Sequence, residues 1–410
     1  MTTNEKIGIA FIIFLIIPVI NVIATIFTPF FQGGTLNPGV VRGIILALFC
    51  LWFILTRAKF NFITNSSYFF LAYLLLLCLF SESFITSFYI YNKVFVASLF
   101  LPLSLHFISS ENRFRYFIRS CLIALFLLEL NFIISNILGI GFATYQDESI
   151  LFGESGVNIT KYMVIFIMII PFYLKYEQTK TYRIVGIVLL IVGVIIVILG
   201  MKRSAILAIS AGFILYALFT PYKSRMVRII PFAAVLMVLS GPYYIPAIKK
   251  RFESREQKVS MSYEQLQDNQ EEGRLLEVQY TITQTFDDSF ERIFIGYNLF
   301  MKKPFSGHKR MLHIDYMNML GGAGLIGLSI FIFIYYKIWA VAKKIKKRLH
   351  HSTFQREIHA TIVALIGVQI FMSIGGTMQG LDLRGTILLI LGALLGLSLQ
   401  NLKKEVKSNE

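Results

Sequence analysis

Apolar runs of about twenty residues recur along the chain, and the Lys and Arg residues sit mostly in short clusters between them. A helix rises about 1.5 Å per residue, so a run of that length crosses about 30 Å of hydrocarbon. Lipid offers no partner to a peptide N–H or C=O, and a single crossing segment must therefore satisfy its backbone as a helix. The chain is 56% hydrophobic and 15% charged, against roughly 25% charged for a soluble domain. It has too little polar surface to enclose such a core in water. A soluble globular fold is excluded, and the fold class is an all-α polytopic membrane protein of about 12 transmembrane helices. Spans are predicted near 7–29, 40–56, 67–82, 90–109, 118–142, 159–175, 184–201, 204–221, 229–247, 315–341, 357–375 and 386–400. The apolar run at the N-terminus has no small-residue cleavage site after it and reads as a retained first span.

The net charge of +16 would suggest nucleic acid as the partner of a soluble protein. Here the cations lie between spans and report topology, so the partner is the lipid bilayer and no nucleic acid is implied. With the N-terminus inside, cytoplasmic segments hold 22 Lys and Arg and the short outer segments hold 6. That bias predicts both termini in the cytoplasm of a multi-pass inner-membrane protein. Cys50, Cys78 and Cys121 all lie in or beside apolar runs, and no disulfide framework follows. No ladder of His, Cys or acidic residues suggests a metal site, and no P-loop or dinucleotide fingerprint suggests a cofactor.

Three regions follow: residues 1–247 with the first nine spans, 248–314 as one long extracytoplasmic loop, and 315–410 with the last three spans and a cytoplasmic tail. Within the loop, Leu275, Val278, Ile282 and Phe286 recur at a spacing of three and four, which predicts an amphipathic helix over 274–286 that roofs a cavity between spans. Residues 255–273 read as a linker or flap.

Polar groups at the outer ends of spans are where helices can aim chemistry into a shared hollow. Lys202 and Arg203 join two spans almost alone, followed by the small residues Ser204, Ala205 and Ala208. They serve either as snorkelling cations or, for Arg203 at a helix N-terminus, as a cradle for a bound anion. Arg274 opens the amphipathic helix. It is either a solvated surface residue or a bidentate ligand for phosphate oxygens. His313, Asp315 and Tyr316 precede a span whose first turns carry Gly321, Gly322, Gly324 and Gly327. The imidazole is the group best placed to exchange a proton near neutral pH, though an interfacial histidine without chemistry fits the same pattern. Glu154 lies in the outer loop 146–158, Glu129 lies in mid-span, and Asp382 with Arg384 reads as a local ion pair.

In this order and on one side of the membrane, these stretches resemble the O-antigen polymerase and O-antigen ligase superfamily of bacterial envelope glycosyltransferases. The resemblance rests on Lys202-Arg203-Ser204-Ala205, on Gly273-Arg274, and on His313-Ile314-Asp315-Tyr316 running into Gly324-Leu325-Ile326-Gly327. Residues 294–308 and 151–162 look like two further loops of the family. The family often has His-Asn where this chain has His313-Ile314.

The resemblance implies a GT-C-like bundle with one long extracytoplasmic loop. It also implies a glycosyltransferase that needs no metal or other cofactor. Donor and acceptor would both be undecaprenyl-diphosphate-linked glycans, with a chain-length regulator and a flippase as partners. Arg203, Arg274 and His313 would be catalytic, and Lys202, Asp315, Tyr316 and Glu154 would bind substrate. The activity implied first is polymerisation of oligosaccharide repeat units. The alternatives are a ligase acting on a lipid A core and a transporter or flippase of the precursor.

Overall fold

A computed structural model describes residues 8–31, 37–142, 150–200, 202–221, 273–287, 289–296, 299–300, 312, 314–376 and 381–409, with the backbone alone at 273–277, 280 and 407–409. The expected span near 229–247 and nearly all of the linker at 255–273 lie outside these residues. Fourteen α-helices follow in order: α1 Ile9–Phe27, α2 Pro38–Arg57, α3 Thr64–Leu79, α4 Phe84–Phe107, α5 Glu111–Leu138, α6 Ile159–Ile167, α7 Ile170–Tyr176, α8 Lys180–Leu199, α9 Arg203–Phe219, α10 Gly273–Phe286, α11 Phe290–Ile295, α12 Asp315–Arg348, α13 Thr353–Ser373 and α14 Leu381–Asn409. Among the described residues there is no strand, and Gly141 and Gly153 form an isolated bridge.

Nine helical segments among the described residues are long and apolar enough to cross a membrane, and α3 and α9 are shorter apolar helices. The chain is a polytopic helical membrane protein. Its rim is made of side chains that water would not tolerate, such as Leu48, Leu55 and Ile137, at 62%, 76% and 75% exposure. Lipid is as apolar as these side chains, so helices must associate by close packing and not by the hydrophobic effect. Glycine provides the approach. Gly385, Gly392 and Gly396 of α14 face Phe100, then Leu101 and Ser104, then Ile108 of α4. Gly212 of α9 faces Met168 and Val368, and Gly367 of α13 faces Leu215. Elsewhere the core is aromatic: Phe14 stacks on Phe107 and Phe117 with centroids 5.2 and 5.3 Å apart.

Two expected spans are interrupted. The span near 159–175 breaks between α6 and α7, where Pro171 has no N–H to continue the ladder. The span near 315–341 is reversed at Gly324, whose φ of +64° and ψ of −170° are not helical. Tyr316 and Phe331 lie fifteen residues apart, which is about 22 Å along a straight helix. Their rings are nevertheless 6.1 Å apart. The segment 315–323 therefore folds back along the crossing segment 325–348. A Cβ at Gly324 would sit 2.2 Å from the Phe294 carbonyl oxygen, and one at Gly296 would sit 2.5 Å from Gly322 backbone. α11 thus wedges its C-terminal end directly against the reversal.

The two ends of the bundle differ in how they hold charge. At the end that carries Lys343 and Lys346, buried carboxylates are paired. Glu357 accepts from Lys175 Nζ at 3.2 Å, Tyr216 at 2.7 Å and Thr220 at 2.7 Å. Glu177 meets Arg119 at 3.0 Å and the Thr179 N–H at 3.0 Å. Burial works to raise the Glu177 carboxyl, but the Thr179 N–H and the Arg119 guanidinium outweigh it and hold it below the usual carboxylate range.

Two outcomes test this fold. Gly324→Ala should lower the thermal unfolding midpoint of purified protein, because left-handed φ alone costs about 1–2 kcal/mol and the Phe294 carbonyl must also move. Gly43→Ala, with nothing within 4 Å of the new methyl, should match the wild type or exceed it. The depressed Glu177 carboxyl stabilises the fold above the ordinary carboxylate pKa of about 4.3, and that contribution is lost as pH falls through the lower folded value. Acid titration of the midpoint should show a component that Glu177→Gln lacks.

Candidate active site

The end of the bundle that carries Arg203 gathers several chain termini. Lys161 at the start of α6 is buried and donates to the Gly375 carbonyl at 3.0 Å. Gly375 follows α13 and lies against Ser204 in the first turn of α9. Thr25, near the end of α1, donates to Asp382 in the first turn of α14 at 3.4 Å. Tyr162 and Thr386 share a hydrogen bond of 3.2 Å. The N-termini of α6, α9 and α14 and the C-termini of α1 and α13 therefore meet here.

Each expected site residue has a definite standing. Lys202 is half-buried and donates to the Asn158 amide oxygen. Arg203 is the first residue of α9 and is exposed. Glu154 is half-buried in the turn before α6. Asp315 is 1% exposed and opens α12. The Tyr316 hydroxyl donates to the Ile370 carbonyl at 3.2 Å. Arg274 lies in the first turn of α10, as expected, but only its backbone is described. His313 lies outside the described residues, between Leu312 and Ile314, which are both buried.

The last turns of α13 are the wall common to two of the three places. Ile370 takes the Tyr316 hydroxyl, and Gly375 borders Ser204. The third place is α10. It forms where the spacing predicted, but two residues of its apolar stripe turn outward, Ile282 and Phe286 being 42% and 52% exposed, while Val278 is half-buried. Thr281 and Thr285 are buried instead, and neither hydroxyl has a hydrogen-bond partner.

The ion pair expected between Asp382 and Arg384 does not form. Residues two apart on a helix point to different faces. Asp382 turns to Thr25, while the Arg384 side chain runs into the bundle and is 0% exposed. Its guanidinium carbon lies 5.3 Å from the Phe70 ring and 5.0 Å from the Phe331 ring. None of its three nitrogens has a hydrogen-bond partner. Tyr335 lies within the fields of both Arg384 and Asp315, and Tyr316 within those of Tyr335 and Asp315. Cation–π contact with two rings is worth about 2 kcal/mol when desolvated. An arginine at mid-membrane costs about 2.5–3.5 kcal/mol on the mildest scale, so the rings alone do not offset the charge, and the Tyr335 hydroxyl lies beside it as a further polar neighbour. Glu129 is also deep and buried, with one carboxyl oxygen facing Gly193 of α8 and no hydrogen-bond partner.

Residues 187–332 match the family model described as O-antigen ligase. The match covers about a third of the chain and supports the O-antigen polymerase and ligase superfamily. The match runs from α8 through the Lys202-Arg203 step, α10 and α11 to the crossing segment of α12. It therefore contains all three stretches on which the resemblance rests. No match is found among curated proteins. The O-antigen ligase domain belongs to glycosyl-transferring enzymes of envelope polysaccharide synthesis, and its helices sit in a membrane-spanning bundle.

Anchoring of the folded-back arm is testable. Tyr316→Phe removes the hydrogen bond to Ile370 and should cost about 1 kcal/mol. Tyr316→Ala also removes the ring from Phe331 and should cost about 3–5 kcal/mol. The ordering of thermal unfolding midpoints, wild type above Phe above Ala, is the readout.

Proposed function

We propose that this protein polymerises undecaprenyl-diphosphate-linked oligosaccharide repeat units into a surface polysaccharide of O-antigen or capsule type. The reaction takes place at the outer face of the bacterial cytoplasmic membrane, with both termini in the cytoplasm. The reading is carried by one observation: the matched domain contains, in order, the Arg203 step, the Arg274 helix and the His313 stretch. Nucleotide sugars are absent outside the cytoplasm, so the donor glycan arrives already activated on a lipid.

Transfer breaks the bond between the donor's anomeric carbon and the diphosphate oxygen and forms a bond to an acceptor hydroxyl. The electron pair leaves on the diphosphate, which gains charge in the transition state. Arg203, exposed at the positive end of the 17-residue α9, and Arg274 stabilise that charge in place of a metal ion. Lys202, Glu154, Asp315 and Tyr316 line the substrate path. His313 takes the acceptor proton or orients the hydroxyl, a contribution of about 10²–10⁴ in rate. A flippase delivers the lipid-linked repeat, and a chain-length regulator acts on the product.

A ligase is the second reading, favoured by the description of the matched family. Deleting the gene separates the two. A lost polymerase leaves single repeat units on the acceptor, and a lost ligase leaves long polymer on the carrier lipid; the gel pattern of envelope glycans reads the difference. His313→Ala should abolish extension with the protein still present in the membrane, and Arg274→Lys should be strongly impaired because lysine cannot grip a diphosphate with two nitrogens. Full-length polymer in His313→Ala cells would remove that residue from catalysis. Orientation has its own test. The three native thiols are buried, so Arg203→Cys should be the position labelled by a membrane-impermeant maleimide in intact spheroplasts. Labelling only after lysis would place this end of the bundle in the cytoplasm.

A further inference from the structure

Arg384 is neither at the surface nor in any pair described above. Its helix starts beside the end of α1 and the start of α6 and runs inward along α4. Gly385, the fifth residue of α14, faces Ala97 and Phe100 in the middle of the 24-residue α4. The ring it meets on α12, Phe331, lies between two landmarks of the crossing segment. One is the reversal, where Tyr73 donates to the Ala323 carbonyl at 2.9 Å. The other is Lys337, which donates to the Phe62 carbonyl at 3.0 Å near the opposite end. The guanidinium therefore stands inside the bundle, among α3, α12 and α14, in the first turn of a 29-residue helix whose dipole adds to its positive potential.

Two independent features point to a ligand. The first is the fully buried guanidinium, whose three nitrogens make no ion pair and no hydrogen bond of good geometry among the described residues, although the Tyr335 hydroxyl lies beside it. The second is its surroundings. Asp315 and Tyr316, on the folded-back arm, share one cluster with Tyr335 and Arg384, and that arm opens two residues after His313. A planar fork of N–H donors suits tetrahedral oxyanions. The apolar ring faces around the guanidinium favour an oxyanion that a hydrocarbon tail carries.

We propose that Arg384 is an anion receptor at the floor of the site, taking oxygens of a phosphate-class group borne by a lipid. The inference rests on the reading of this chain as a handler of lipid-linked diphosphate donors, and adds a third guanidinium to the two at the rim. The folded-back arm, held to α13 through Tyr316 and Ile370, then separates the rim from the floor.

The test uses full-length protein in phosphatidylcholine nanodiscs, with retention of undecaprenyl diphosphate read by native mass spectrometry. Uncharged undecaprenol is the control, and phosphatidylglycerol and inorganic diphosphate are competitors. Wild type should retain the diphosphate lipid at least tenfold better than undecaprenol. Arg384→Met should lose most of that preference with undecaprenol retention unchanged, and Arg384→Lys should keep part of it. Competition by phosphatidylglycerol that disappears in Arg384→Met supports the receptor and shows that a lipid headgroup suffices, whereas competition by inorganic diphosphate that disappears in Arg384→Met overturns the lipid-borne assignment. If Arg384→Met does not fold, Arg384→Lys decides: a wild-type preference in folded Arg384→Lys overturns the proposal, as does one in folded Arg384→Met. Absence of any anion preference in the wild type overturns it as well. The polymerase reading stands or falls separately, on the glycan pattern of deletion cells.

Discussion

Hydrocarbon does not tolerate an isolated charge. A buried ion must find its opposite, a set of dipoles, or a ligand that brings compensation with it. The molecule obeys this constraint in two ways at its two ends. Where Lys175, Glu357, Arg119 and Glu177 lie, each buried carboxylate is neutralised by a cation and bridged by hydroxyl or peptide donors. Those groups tie α7, α9 and α13 together and α5 to the α7–α8 turn. At the Arg203 end, Lys161 rests on a peptide carbonyl and Lys202 on an amide oxygen. Arg384, fully buried, meets two aromatic faces and lies beside the Tyr335 hydroxyl. One end pairs its buried charges with their opposites; the other holds its buried cations on carbonyl, amide and aromatic groups.

Most of the architecture could be read from hydropathy, because length and apolarity are what a bilayer selects. Helices appear at eleven of the twelve expected spans, two of them short, and the twelfth lies outside the described residues. Hydropathy is blind to backbone reversal. Nothing in the apolar content of 315–341 distinguishes a straight crossing from one that doubles back at Gly324, although four glycines within seven residues marked the place. Pro171 carried a clearer mark, since a missing N–H ends a helical ladder wherever it falls.

The candidate site was legible as a list of residues and not as an arrangement. Lys202, Arg203, Asp315 and Tyr316 sit at helix starts, as their neighbours in sequence suggested. Arg384 was misassigned because the nearest charge along the chain is not the nearest in space. Asp382 and Arg384, two apart, diverge around the helix, and that spacing alone argued against the pair. The inverted polarity of α10, with threonines buried and Ile282 and Phe286 outward, has the same origin. A stripe of apolar residues identifies an interface with something apolar, and beside a bilayer that partner is as readily lipid as protein.

The doubling-back at Gly324 also constrains how this region can change over evolutionary time. Substitutions along 315–323 act one side chain at a time. Removing or inserting a residue turns everything on one side of it by about 100°. Tyr316 would then leave Ile370, and Asp315 would leave the cluster around Tyr335. Length between the start of the arm and its glycine hinge is therefore under tighter selection than composition, and related chains should differ there in spelling but not in the number of letters.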